Sequence, residues 1–322
     1  MAGPTRSVMG TKCSASNAEI NGILRKKPEI RQMQGNELVK WIRSIRITAV
    51  IFLRPYGLTW LLDRISLLEW SWKNRRVHRQ PHNFDAEVLI ICAHFNQPEW
   101  LKDCVDSVIG QTFQNWSLLI VDDASTMDVD QTLETCEQTD PRIRVLRMTE
   151  NQGAYVARNS AIQHSEGHWT HVTFIDSDDV AEPDWLEHVL EVSQGLEGWV
   201  RPLLKRTDRY LNGNKRLYFG HCQSLFSKGL WTQLGGFQDV RIAGDTELLF
   251  RAEKMREFEE LSESRAKKTS QKCRVHENNA SSTKARVRKE WLESRHREIS
   301  TAQNAEALFV EARTAALIRF HA

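Results

Sequence analysis

The middle of this 322-residue chain predicts an α/β fold, a mostly parallel sheet flanked by helices, with a helical extension on either side. Three observations predict it. The hydrophobic pattern changes from helical spacing to short continuous runs at Asp85, those runs then alternate with helical segments as far as Pro183, and acidic groups cluster where the runs end. Near-continuous apolar strands separated by helices belong to a sheet buried on both faces. Such sheets bind ligands at the carboxyl ends of their strands.

The elements follow in order. Residues 1–35 are polar, lack a sustained period and are expected to be disordered. Between 36 and 80, Leu38-Val39, Trp41-Ile42, Ile45 and Ile47, then Leu58 and the run from Trp60 to Trp72, repeat at helical spacing on either side of Pro55 and Gly57. Lys40, Arg43, Arg46, Arg54, Arg64, Lys73, Arg75 and Arg76 surround them. Two basic amphipathic helices are expected, lying on an anionic membrane surface or packed against the protein's own domain or a partner.

The domain proper is expected over 85–283, in two halves, 85–180 and 181–283. Strands are expected at Ala86–Ala93, Trp116–Val121, Ile143–Met148 and Trp169–Ile175, with helices from Pro98 to about Ile109, at about Asp130–Gln138 and Ala154–His164, from Pro183, and at Thr246–Met255. The stretch Phe258–Gln271 is dominated by polar and charged residues and is expected to be a helix end and a mobile loop able to close over a ligand. Residues 284–322 read as a helical extension.

Composition narrows the class of function. The net charge of +2 conceals an asymmetry: residues 1–80 carry +10, residues 81–253 carry −13 and residues 254–322 carry +5. An acidic centre without an aromatic-interleaved basic patch argues against a nucleic-acid partner. The six cysteines never reach C-x-x-C spacing and are too sparse for a disulfide framework, so reduced thiols in a cytoplasm are expected. No run approaches the roughly 20 apolar residues of a membrane span, and the start has no apolar signal region. A cytoplasmic protein is expected, attached to the inner face of the membrane if the basic helices bind lipid.

The strand ends carry the chemistry. His94-Phe95-Asn96 follows the first strand, Asp122-Asp123-Ala124-Ser125 the second and Asp176-Ser177-Asp178-Asp179 the fourth. Adjacent carboxylates raise one another's pKa, and a bound hard cation removes the conflict. Mg²⁺ takes one or two protein carboxylates and fills its remaining positions with water and phosphate oxygens, which a D-x-D turn offers to a nucleoside diphosphate. An N-cap for the following helix would need only one Asp.

These residues, in this order, resemble family 2 glycosyltransferases, inverting enzymes of the Rossmann-like GT-A fold. The resemblance lies in Phe95-Asn96, Leu101 to Gln111-Thr112-Phe113, Leu119 to Ser125, Asn151-Gln152-Gly153 with Ala157-Arg158-Asn159, and Phe174 to Asp179. It resumes at Gly235-Gly236-Phe237, Gly244 to Leu248 and Arg274 to Asn279.

The resemblance implies that Phe95 stacks on a uracil-type base, that Asp123 accepts from a base N–H, and that Arg158 reaches the nucleotide or its phosphates. It implies that Asp176 and Asp178 form the D-x-D pair for Mg²⁺ or Mn²⁺, that His276 contacts the metal or the diphosphate, and that Asp245 is the general base. Asp179 is expected to cap or brace the loop. The family usually has Glu before the base, where this chain has Gly244, which questions what supports Asp245. Glu247, about 200° around the helix, points away from Asp245 and is expected to serve as a neutral control. The implied donor is a UDP-sugar, and the implied acceptor a hydroxyl of a glycan or lipid-linked saccharide. Two other readings stand beside it: a degenerate glycosyltransferase scaffold that only binds, and a nucleotidyltransferase, which would need a glycine-rich basic loop where His94 to Pro98 stands.

Overall fold

The computed structural model describes residues 85–166, 168–213, 216–276, 285–305 and 308. The expectations for residues 1–35 and 36–80 lie outside the described residues, as does most of the C-terminal extension beyond 305.

The first half of the domain runs β1 (Val88–His94), α1 (Pro98–Ile109), β2 (Trp116–Asp122), α2 (Asp130–Thr139), β3 (Ile143–Arg147), α3 (Ala154–Gln163), β4 (His171–Asp176) and β5 (Val180–Ala181). The second runs α4 (Trp185–Ser193), β6 (Gly198–Thr207), β7 (Arg216–Phe219), β8 (Leu225–Ser227), α5 (Lys228–Leu234), α6 (Gly244–Met255) and β9 (Ser262–Arg274), followed by α7 (Ala285–Thr301). Among the described residues these strands form a single sheet in the order β3-β2-β1-β4-β8-β6-β9-β5, with β7 paired to β6.

The sheet is mixed but mostly parallel. β3, β2, β1 and β4 run parallel to one another, whereas β8 is antiparallel to both β4 and β6. Val88, Ile90, Ile91 and Cys92 of β1 are fully buried, as are Ile120 and Val121 of β2 and Phe174 and Ile175 of β4. Helix α1 starts on Pro98, where the missing N–H costs no hydrogen bond, and turns Leu101, Cys104, Val105 and Val108 onto the sheet. Register fixes where the chemistry lies. Ala93 pairs with both Val121 and Asp176, and His94 with Asp122, so the carboxyl ends of the central strands finish level.

The expected mobile loop at Phe258–Gln271 is instead largely strand β9, which pairs in parallel with β6 from Gly198↔Ser262 to Thr207↔Arg274. Several of its buried polar side chains have partners, so it holds its place without apolar alternation. Arg265 pairs with Glu263 at 3.1 Å, and Gln271 donates to the Phe174 carbonyl at 3.2 Å. Where the register slips between Arg201 and Leu203, the backbone N–H groups of Lys267 and Lys268 donate to His188 Nε2 at 2.9 and 3.2 Å. Burial, reinforced by Lys268, holds the His188 imidazole below its usual range and leaves that nitrogen an acceptor.

The start of this pairing sets one sharp requirement. Gly198 has φ 148°, and a Cβ there would sit 1.9 Å from the Ser262 carbonyl oxygen. Gly198→Ala should destabilise the fold by at least about 2 kcal/mol, through backbone strain and overpacking. Thermal denaturation checks this, and an unchanged midpoint would contradict it.

Candidate active site

The first strand ends are locked together before any ligand is considered. Asp122 Oδ1 lies 3.0 Å from His94 Nδ1 and accepts from Ser125 Oγ at 2.6 Å. Burial pushes the Asp122 carboxyl up, and the hydrogen bonds from His94 and Ser125 outweigh it and leave it lowered. Asn96 Oδ1 accepts from the backbone of Thr126 at 2.9 Å and of Met127 at 3.0 Å. Between these anchors Phe95 stands 40% exposed, an apolar ring presented to solvent rather than packed in the core.

Asp123 is buried and occupied. Its two oxygens accept the backbone N–H groups of Gln152 and Gly153, both at 2.8 Å, so it shapes the loop that opens α3. Burial holds its carboxyl above the usual range in spite of these bonds. Arg241 grips the same loop, donating to Asn151 Oδ1 at 2.6 Å and to the Asn151 carbonyl at 2.8 Å.

The structure brings Asp176, Asp178 and Asp179 into one cluster, with ligand atoms within 4.8 Å of one another. Asp176 pairs with buried Arg158 and accepts from Gln223 Nε2 at 3.1 Å. Asp178 lies 2.7 Å from His276 Nε2, and the His276 ring packs against Trp100 with centroids 4.4 Å apart. Asp179 accepts the Arg274 backbone N–H at 3.0 Å and braces the turn. The Arg274 guanidinium reaches the Asp178 carbonyl at 2.6 Å and Asp103 at 2.6 Å.

Burial, and next the charge of Asp176, raises the Asp178 carboxyl; burial, and next the charges of Asp178 and Asp176, raises Asp179 well above the carboxylate range. Crowded oxygen donors whose ionisation is disfavoured fit a hard divalent cation.

On the other side lies the turn Gly235-Gly236-Phe237. Gly235 and Gly236 have φ 68° and 82°, the left-handed region that Gly adopts without strain. Asn159 clasps this turn from α3, donating to the Phe237 carbonyl at 2.8 Å and accepting its N–H at 3.0 Å. Asp245, in the first turn of α6, accepts a hydrogen bond from the Tyr155 hydroxyl at 3.0 Å. Helix α3 therefore joins the two sides, because Arg158 on Asp176 and Tyr155 on Asp245 are three residues apart on one helical face.

Glu247 is not the neutral control that its position suggests. The helical angle does point it away from Asp245, but into the protein, where it is fully buried. Arg251 donates to it twice, at 2.9 and 2.8 Å, and Arg295 of α7 at 3.0 Å. Arg251 also reaches the carbonyls of Leu234 and Gly236. Sequence reading misses Tyr155, Gln223, Arg241 and Arg251 as well. Tyr155 and Arg251 occupy helical positions without a motif, and Gln223 and Arg241 lie in loops without periodicity.

Residues 89–197 match the family model described as glycosyl transferase family 2. TuaG of Bacillus subtilis (strain 168), whose name assigns it to teichuronic acid biosynthesis, is 39% identical over 109 residues, 34% of this chain and 42% of TuaG. WfgD of Escherichia coli, named as a UDP-Glc:α-D-GlcNAc-diphosphoundecaprenol β-1,3-glucosyltransferase, is 32% identical over 131 residues, 40% of this chain and 46% of its own. The chain spans less than half the length of these relatives. Among solved structures, the mannosyltransferase PcManGT from Pyrobaculum calidifontis, in complex with GDP-Man and Mn²⁺, superposes with a TM-score of 0.54 at 19% identity, covering 84% of this chain and 82% of that one. Sequence and architecture agree: residues 89–197 are similar to glycosyl transferase family 2, and the described residues have the GT-A fold.

Proposed function

We propose that this protein transfers a sugar, with inversion, from a UDP-sugar to a hydroxyl of a glycan or lipid-linked acceptor in polysaccharide or glycoconjugate biosynthesis. The observation that carries the proposal is the pairing of a three-carboxylate cluster at the end of β4 with a separate carboxylate, Asp245, through the single helix α3. An inverting displacement needs both: a site for the leaving diphosphate, and a base for the acceptor proton on the opposite side.

In this reading Phe95 stacks on the base, and Asp123 holds the loop beside it and accepts from the base N–H. Arg158, kept charged against burial by Asp176 and Asp245, faces the nucleotide. Asp178 and Asp176, with His276 behind Asp178, would hold Mg²⁺ or Mn²⁺, which when bound offsets the charge of the diphosphate. Asp245 takes the proton from the acceptor hydroxyl.

WfgD is named for a UDP-linked donor and a diphosphoundecaprenol acceptor, and these are the chemical classes proposed here. A lipid-linked acceptor would suit attachment of residues 36–80 to an anionic membrane surface. Among the described residues no helix is long and apolar enough to cross a membrane.

Asp178→Ala tests the cation site. In wild type, UDP with Mn²⁺ should raise the unfolding midpoint, since a ligand that binds only the native state stabilises it by mass action. The variant should fold and lose the Mn²⁺-dependent part of that rise. A wild-type UDP response that is indifferent to Mn²⁺ would overturn the assignment.

A further inference from the structure

Asp245 stands next to Gly244, which offers no side chain to support it, so its orientation has to come from elsewhere. Tyr155 fills that place. Its hydroxyl donates to Asp245 Oδ1 at 3.0 Å, and its ring is held on several sides. The Phe237 ring lies 5.1 Å away and the Arg158 guanidinium 5.5 Å from the ring centroid. A Cβ on Gly244 would come within 3.0 Å of the Tyr155 ring, so the ring occupies the space that a side chain at 244 would need. Thr246 Oγ1, 3.5 Å from the same Asp245 oxygen, makes a longer contact.

We infer that Tyr155 is the positioning residue for Asp245, and that Gly244 is required because the Tyr155 ring lies against it. The inference rests on Asp245 being the base. A carboxylate in the first turn of a helix has several rotamers open to it; a phenol fixed by its own packing selects one. Burial, followed by the Asp245 charge, raises the Tyr155 hydroxyl well above its ordinary range, so it remains a donor through the working pH range. Helix α3 thereby links the two ends of the reaction, since Arg158 in the next turn pairs with Asp176.

The test uses the full chain and the variants Tyr155→Phe, Asp245→Ala and the double variant. Unfolding midpoints are measured, together with nucleotide release to water in the presence of Mn²⁺. The donor is whichever of UDP-glucose, UDP-N-acetylglucosamine and GDP-mannose stabilises wild type most. Tyr155→Phe keeps the ring and loses the hydroxyl, so kcat should fall roughly 10-fold with KM for the donor unchanged. The double variant should be no slower than Asp245→Ala, and its midpoint shift should be smaller than the two single shifts combined, because the variants remove the same contact.

Wild-type kcat in Tyr155→Phe, or effects that add, would overturn the inference. Wild-type turnover in Asp245→Ala would instead remove the base reading. If no donor binds, the midpoint cycle alone decides whether the two residues are coupled.

Discussion

Asp245→Asn should lower sugar transfer by about 10²–10⁴-fold while the protein still binds donor and metal. An amide keeps the shape of the carboxylate and can still accept from Tyr155, but it cannot take the proton of an acceptor hydroxyl, and positioned general bases contribute rate factors of about this size. Donor binding should survive because Asp123, Asp176 and Asp178 sit at strand ends with partners of their own, apart from the helix turn that carries Asp245. The measurement is transfer from the best-binding nucleotide-sugar, alongside nucleotide affinity by thermal shift. Near-normal transfer in Asp245→Asn would refute the assignment. An equal loss of nucleotide affinity would show that the residue acts on binding rather than on the chemical step.

Glu247→Gln should cost the fold about 3–5 kcal/mol, because removing one member of a buried ion cluster leaves its partners charged and uncompensated. Two arginines are affected. Arg251, which also reaches the carbonyls of Leu234 and Gly236, and Arg295 of α7 both lose the counter-charge and share the single oxygen that an amide leaves them. The melting midpoint should fall on the order of 10 °C for a domain of this size. Exposed Glu260 provides the comparison, since Glu260→Gln should change stability by less than about 0.5 kcal/mol. Arg295→Met should cost less than Glu247→Gln, because Glu247 would keep the paired bonds of Arg251. A fully stable Glu247→Gln would mean that these ions are solvated in solution.

The first half of the domain was readable because its strands are buried on both faces. Val88, Ile90, Ile91 and Cys92 announce a central strand, and the acidic groups after β2 and β4 announce a ligand edge. The second half was harder to read for a physical reason. β9 keeps its place through polar pairings, Arg265 with Glu263 and the His188 ring capturing the slipped register, and such pairings leave no alternation of apolar residues.

The same limit applied at the site. Motif spacing singles out Asp176, Asp178 and Asp245, but the contacts that orient them come from Gln223, His276 and Tyr155, between 47 and 98 residues away along the chain. The helical spacing of Glu247 turns it away from Asp245. What lies on that side, core rather than solvent, depends in part on Arg295 of α7, 48 residues further along the chain.

The latch between β9 and the D-x-D turn bears on how such domains can recombine. The family match ends at residue 197, yet Arg274 and His276, which hold Asp178 and Asp179, lie well past it. A chimera that imports residues 85–180 from a relative would bring its own loop after β1 and its own carboxylates, but the host strand would supply the groups that aim them. Grafts that exchange donor preference should therefore succeed when the end of β9 travels with the first half. When it stays behind, the hybrid should fold and present its acidic turn in the wrong register, making this short strand end a barrier to swapping first halves between related domains.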